Sequence, residues 1–522
     1  MMRKGKFLAV ALVGLMAFAG CSDDDGGTGP VALTAPANVT VVRSGEDVAV
    51  SWSAVTGAES YTVERDQIGD AAGFAAIGAG ITGTSYTDAG VPTDAGFLYR
   101  VIAVRGVDRS PASDPKEVLE VLPAEASLPD EITGELVLSA DTTYFIRGIV
   151  TVDSGAVLRI PAGTLLLGDI DVAPSALIVR RGGQIYAEGT ADAPIVFTSS
   201  APAGQRQRGD WGGVVLNGRS TCNFPAAECV GEGTSGSYGG DILDDNSGVL
   251  RYVRIEFAGY EVSFGNELNA LTLNGVGSGT EISYIQVHYG SDDGIEWFGG
   301  TVDVKYAVAT GISDDSFDYS TGWSGRGQFW IAQQDPNDGD FGWEIDNNEN
   351  DYDATPRTSP TVYNVTLIGQ GPDGTGGGAT ESPAGVLYRR GAAGEIANMI
   401  ITGFKVGLDI DNAETLAQCT LGELTMRGII IHSNGAALAT DDTHQQTCEA
   451  TAGFDLRYVD PQLVAPFNRT APDFRPAAGL AATQGAIAVP AGDAWFTNVD
   501  FIGAVGPGAD EWYKGWTTWA QN

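Results

Sequence analysis

The chain has 522 residues and carries 67 acidic against 29 basic side chains, a formal net charge of −38 at pH 7. A surface of that sign repels nucleic acid and anionic lipid, which excludes both as partners, and it favours divalent cations. Salt adaptation of the surface accounts for the same excess without any functional role.

At the start, Met1–Lys6 is basic, residues 7–20 are apolar, and Phe18-Ala-Gly-Cys21 closes the stretch. An apolar run of 14 residues is too short to span a bilayer and suits the core of an export signal. The last four residues resemble a bacterial lipobox, with Phe18 in place of the usual Leu. That resemblance implies a signal peptide over 1–20, Cys21 as a lipidated N-terminus, and a polar tether over 21–33. The protein is then expected outside the cytoplasmic membrane, at the outer membrane or cell surface, held by lipid alone. An ordinary signal peptide cut elsewhere near Gly20 is the alternative. Cys21→Ser is expected to release the protein from the membrane fraction or block its processing; an unchanged partition rules lipidation out as the tether.

Residues 34–122 contain short alternating segments separated by Gly, Asp and Pro: Ser51-Trp-Ser53, Ser60-Tyr-Thr-Val-Glu-Arg65, Thr84-Ser-Tyr-Thr-Asp88 and Phe97-Leu-Tyr-Arg-Val-Ile-Ala-Val104. The pattern predicts a seven-strand sandwich. At these residues the stretch resembles a fibronectin type III domain, which implies a core role for Trp52 and Tyr99 and a spacer role for the domain. After a join at 123–129, the region 130–454 opens with runs such as Tyr144-Phe-Ile-Arg-Gly-Ile-Val-Thr-Val152 and Leu177-Ile-Val-Arg-Arg-Gly-Gly-Gln-Ile185.

One phrase then returns six times: Ala270-Leu-Thr-Leu273, Gly294-Ile-Glu-Trp297, Ser316-Phe-Asp-Tyr319, Gly342-Trp-Glu-Ile345, Gly385-Val-Leu-Tyr388 and Gly407-Leu-Asp-Ile410. Second positions are spaced by 24, 22, 26, 43 and 22 residues. A fixed period predicts a solenoid whose turns complete one another's core by stacking, and the long step predicts an insertion. Further strands are expected around Ser283–Val287, Lys305–Ala309, Val362–Leu367, Ile396–Ile401 and Met426–Ile431. These features, with Gly209-Asp-Trp-Gly-Gly213, Leu250–Gly259, Gly290–Gly300 and Gly515-Trp-Thr-Thr-Trp519, resemble secreted right-handed parallel β-helix proteins of bacterial lipoproteins. The resemblance implies fold and location and supplies no reaction. The fold class is therefore all-β: a fibronectin type III-like sandwich followed by a right-handed parallel β-helix, with residues 455–522 covering an open end or side.

In such a helix equivalent positions stack about 4.8 Å apart and side chains alternate between core and solvent. If Ile295 and Trp297 point inward, the third phrase position points out, giving a column of Thr272, Glu296, Asp318, Glu344, Leu387 and Asp409. Asp292 and Asp293, then Asp314 and Asp315, add a second acidic column. Stacked carboxylates repel by about 1 kcal/mol per pair in water at 4 Å and by several times that where shielded. Either a cation sits among them or one keeps its proton. The first outcome makes Asp292, Asp293, Asp314 and Asp315 calcium ligands. The second makes Glu296, Asp318 and Glu344 candidates for glycoside cleavage by an acid beside an ionised partner. Polygalacturonases cluster aspartates this way, but their Gly-His-Gly and Arg-Ile-Lys phrases are absent here. A lyase would draw its base from Arg389, Arg390 or Lys405, although Arg389 also suits a salt bridge to Asp346. Solvated acidic turns holding cations loosely fit the same residues.

Trp297 and Trp343 fall on inward positions, whereas Trp323 and Trp330 are the surface candidates for stacking on sugar, beside Asn347, Asn348 and Asn350. His288, near the Asp pair, is a candidate proton carrier with a structural alternative. Cys222 with Cys229, and Cys419 with Cys448, are expected to pair as disulfides that pin insertions in an oxidising compartment. Zinc is disfavoured, because His444 and two distant cysteines make an incomplete ligand set. The expectation is a surface-bound protein that binds carbohydrate or another extracellular polymer, with calcium. A polysaccharide hydrolase or lyase and a structural adhesion protein are the alternatives.

Overall fold

The computed structural model describes residues 31–93, 95–119, 124–225, 229–376, 384–441, 443–477, 485–508 and 511–521. The expected signal peptide and Cys21 lie outside these residues. Among them, no helix is long and apolar enough to cross a membrane.

The chain divides into two compact units, 1–122 and 123–522. In the first, Thr40–Ser44, Asp47–Ser51 and Ser85–Asp88 form one antiparallel sheet. Ala75–Ile81, Ser60–Gln67, Phe97–Arg105, Asp108–Arg109 and Lys116–Val118 form the other. Alternation in Phe97–Arg105 turns Phe97, Tyr99, Val101 and Ala103 into the core, against Trp52, Tyr61 and Val63. The Tyr99 hydroxyl donates to Asp88 Oδ2 at 2.9 Å, and Arg65 neutralises that carboxylate at 2.7 Å. The buried polar tip is thus satisfied within a fibronectin type III-like sandwich.

The second unit is a right-handed parallel β-helix built on two long parallel sheets, of 11 and 15 strands. The repeated phrases lie side by side in one of them: Leu271 pairs with Ile295 and Ile295 with Phe317, while Glu296, Asp318, Glu344, Leu387 and Asp409 follow one another in register. In the other sheet, Gly248–Glu256 pairs at once with Gln184–Glu188 and Ile195–Ser199, so two short strands of the early turns fuse into one. The fused strands bend at one residue each. Tyr252, Tyr284, Tyr306, Phe329, Asn364, Asn398 and Gly428 all have φ between 50° and 66°. Left-handed backbone costs a residue with a side chain about 1–2 kcal/mol. Stacking offsets part of that cost, with ring centroids 4.3, 4.3 and 5.1 Å apart from Tyr252 through Tyr284 and Tyr306 to Phe329.

Two differences from the sequence expectation concern tryptophan. Arg326–Gln333 is a strand that the sequence analysis did not anticipate; it places Trp330 between Ala307 and Val365 of the neighbouring strands. Trp330 and Trp323 are fully buried and pack with Trp297 and Trp343, centroids 5.1 to 5.4 Å apart. Their indole N–H groups donate to the carbonyls of Val304 and Val302. They are core residues, and their expected surface role is corrected accordingly.

Beyond the last helical strand, Phe454–Arg457, the chain runs back along the 15-stranded sheet. Side-chain amides of the helix hold its backbone: Gln286 to Thr518, Gln328 to Thr497, Asn364 to Phe501 and Gly503, and Asn398 to Ile487. The segment covers a side of the solenoid. His288 belongs to this contact. Its ring nitrogens bond Thr310 Oγ1 at 2.6 Å and the Ala520 carbonyl at 2.9 Å, and burial lowers its pKa. That is the structural role, away from the carboxylates.

Candidate functional site: an acidic cleft

The expected acidic columns meet in one cleft. Its upper part is a cavity of about 340 Å³ lined by Asp292, Asp293, Asp314, Asp315, Asp340 and Glu267. A second concavity of about 210 Å³ adds Phe224, Phe298, Ser320, Asp346 and Glu349. Glu232, Glu296, Asp318 and Glu344 line both.

The column is not open to water as expected. Glu296 is 7% exposed, and Leu387, at 4%, interrupts the acids before Asp409. The cover comes from the chain between Asn217 and Gly248. There Cys222 and Cys229 form one disulfide, and the short hairpin through Val230–Gly231 and Gly236–Ser237 carries Glu232 at its bend. A second hairpin, Glu261–Ser263 with Asn266–Glu267, contributes Glu267, and Asn266 Oδ1 accepts from Gly233 N–H at 2.9 Å to join the two. The disulfide between Cys419 and Cys448 lies elsewhere and joins the helices Ala413–Leu421 and His444–Glu449.

The inner acids have a backbone task. Asp293 N–H donates to Asn269 Oδ1, Asp315 N–H to Asp293 Oδ1, and Phe341 N–H to Asp315 Oδ1, at 2.7 to 3.1 Å. Each side chain thereby caps the strand entry of the following turn. Glu296 Oε2 accepts from the Asn269 amide. Asp318 differs: its Oδ1 is buried and has no hydrogen-bond partner. Carboxylate oxygens of Asp293, Glu296 and Asp318 lie within 4.8 Å of one another, as do those of Asp315, Asp318 and Glu344, and those of Asp292, Asp293 and Asp314.

Crowded acids in a shielded cleft resist ionisation. Burial first, then the neighbouring carboxylates, pushes Asp293, Glu296, Asp315 and Asp318 well above the carboxylate range. Burial and Asp314 raise Asp292 to about 8. Glu344 also reaches about 8, because burial outweighs the nearby Arg389. Asp314 and Glu232, which reach solvent, rise less, to about 6 and about 7.

Arg389 closes one end. It pairs with Glu344 and with Asp346 at 2.9 Å, and Arg390 pairs with Asp346 as well. Burial alone would lower the Arg389 pKa, but the two carboxylates hold it above the usual range. This guanidinium is a structural countercharge and is unsuited to serve as a base. Asp338 does not line the cleft and pairs with Arg208 at 3.2 Å. Asn347 and Asn348 are buried too; they bond the Tyr352 and Ala354 carbonyls and Asn223, which folds the insertion instead of presenting it to a ligand. Glu232, Glu267 and Phe224 escaped the sequence analysis because they sit on insertions outside the repeat. The Asn269, Asp293, Asp315 column did have a signal, since each residue directly precedes its phrase.

A family model described as a pectate-lyase-like beta helix domain matches residues 130–458. The tail tube protein gp17.1* of Bacillus phage SPP1 is 36% identical over 93 residues, 18% of this chain and 32% of that protein, so the chain spans about a third of this relative's length. An Fn3-like protein from Clostridium thermocellum shares 30% identity over 17% of this chain and 95% of its own, with a TM-score of 0.16. A myokine structure shares 23% over 17% of this chain and 96% of its own, also at 0.16.

Proposed function

The chain belongs to the pectate-lyase-like β-helix family, and from that membership we propose that it binds an extracellular polysaccharide at the acidic cleft through calcium held by Asp318 and its neighbours. One observation carries the proposal: Asp318 Oδ1 is buried without a hydrogen-bond partner, within reach of Glu296, Asp293, Asp315 and Glu344. Calcium takes six to eight oxygens and needs no nitrogen or sulfur. The donor set is all carboxylate, so it fits that ion and does not fit zinc. When bound, the cation lets the acids ionise together and offers its remaining positions to hydroxyl or carboxylate oxygens of a sugar. Phe224 and Phe298, both half-buried in the cleft wall, take over the stacking role once given to Trp323 and Trp330. Attachment to the cell surface through Cys21 belongs to the same reading.

Hydrolysis has one feature in its favour, the Asp318 carboxyl that burial pushes well above the usual range beside Glu344. Their oxygens lie within 4.8 Å, which rules against inverting hydrolysis at roughly 6.5–9.5 Å and leaves only the retaining arrangement, whose carboxyls stand roughly 5–5.5 Å apart. The ion pairs of Arg389 and Arg390 leave neither guanidinium suited to serve as a lyase's base.

The test is a panel of immobilised polysaccharides, with and without chelator, scored for retention and for new reducing or unsaturated ends. Retention is expected only with calcium. Asp318→Asn is expected to weaken it at least about tenfold, since even second-layer changes around a metal cost that much. New ends made by wild type and lost in Asp318→Asn would establish the enzyme instead.

A further inference from the structure

The same sheet carries a second concavity, of about 470 Å³, on its early turns. Ile149–Val152, Ala176–Val179 and Val214–Asn217 run in register, with Val152 on Val179 and Val179 on Leu216. The residues that follow, Asp153, Arg180 and Asn217, line the pocket with Arg181 beside them. Ser235 and Ser237 of the hairpin that carries Glu232 form its other wall. One hairpin therefore separates this pocket from the acidic cleft.

The two sides differ in charge. Arg180 is neutralised by Asp153 at 2.6 Å. Arg181 is exposed and has neither an ion pair nor a hydrogen bond among the described residues. Most other described arginines are tied to a carboxylate, as expected in a chain with 67 acids and 29 bases. An uncommitted guanidinium in a polar pocket is a planar, permanently charged donor suited to carboxylate or sulfate. The pocket also shares a column with the cleft. Asn217 pairs with Asn274, Asn274 with Phe298 and Phe298 with Ser320, the last two lining the cleft. Asn217 and Phe298 are two strand steps apart, about 10 Å.

We propose that this pocket is a second, calcium-independent subsite, in which Arg181 binds an anionic group of an acidic polysaccharide while Ser237 meets its hydroxyls. Its occupant rests on the polysaccharide reading of the cleft. A polymer laid along the helix axis meets a cation-mediated contact on one side of the hairpin and a direct guanidinium contact on the other.

Short ligands in chelator isolate the pocket. Titration calorimetry would use a uronic acid trimer, its carboxyl-reduced neutral counterpart and a sulfated neutral trimer. The uronate trimer is expected to bind wild type in chelator, more weakly as salt rises. Arg181→Glu should weaken it at least tenfold with an unchanged melting temperature, and Arg181→Lys, which keeps the charge without the planar fork, should fall between the two. The neutral trimer should be indifferent to either change. Tighter binding of the sulfated trimer keeps the anion site and makes a sulfate ester its source. Equal affinity in wild type and Arg181→Glu, or no binding in chelator, overturns the subsite. Calcium-dependent retention on polymer would survive that failure, so the two readings fall separately.

Discussion

Stripped of divalent cations, the protein should lose thermal stability as pH rises from the unfolded carboxyl pKa near 4 towards the folded values of about 8 at Asp292 and Glu344. In that window the folded state binds more protons than the unfolded chain, so stability falls with increasing pH. The contribution is fully present below the unfolded value and is lost as pH passes the folded one. Carboxyls held that far above their unfolded values weigh heavily against the small net stability of a folded domain once they must ionise. Several such groups share the cleft, so it keeps protons or acquires a cation. His288, its pKa lowered by burial, gives the opposite slope only below its ordinary 6.5, so the range above that value isolates the acids. A cation bound only to the folded form adds about 2.7 kcal/mol at one hundred times its dissociation constant. Millimolar calcium should therefore restore the melting temperature, most strongly at high pH. The Asp292→Asn, Asp314→Asn double variant should reduce both the pH slope and the calcium response, the remainder resting on Asp293, Glu296, Asp315, Asp318 and Glu344. A melting temperature that rises with pH in chelator, or ignores calcium, would leave these acids as solvated turns.

Trp330→Ala should cost about 3–5 kcal/mol, the range for deleting a large aromatic from a packed core. Trp330 stacks on Trp297 with centroids 5.2 Å apart and touches Phe317, Trp323 and Trp343 as well. Its removal opens a cavity at the level of the acidic turns and leaves the Val304 carbonyl without its indole donor. The check is the denaturant midpoint, taken with the slope of the transition to confirm that the same surface unfolds. Trp323→Ala should behave alike. A change within about 0.5 kcal/mol, typical of surface sites, together with lost polymer retention, would return these tryptophans to a binding surface.

The alternation of apolar residues in 34–122 and the recurring phrase from Ala270 to Ile410 determined the two folds and the register of Glu296, Asp318 and Glu344. Local pattern is enough for that, because each turn pairs with its neighbour phrase on phrase, whatever the length of chain between them. Cysteine spacing likewise sufficed for both disulfides. The tertiary structure decided which faces meet water. Alternation sets two sides of a strand and cannot say whether another segment covers the outer one; here the insertions bearing Glu232 and Glu267 fold over Glu296 and Asp318. That cover changed exposed acids into shielded ones with raised pKa. The same limit explains Trp323 and Trp330: Arg326–Gln333 lacks the repeated phrase, and only its pairing with Asp303–Thr310 and Thr361–Ile368 turns Trp330 inward. His288 was placed beside the acids by its number in the chain, but its strand lies in the other sheet, where the returning C-terminal segment claims it.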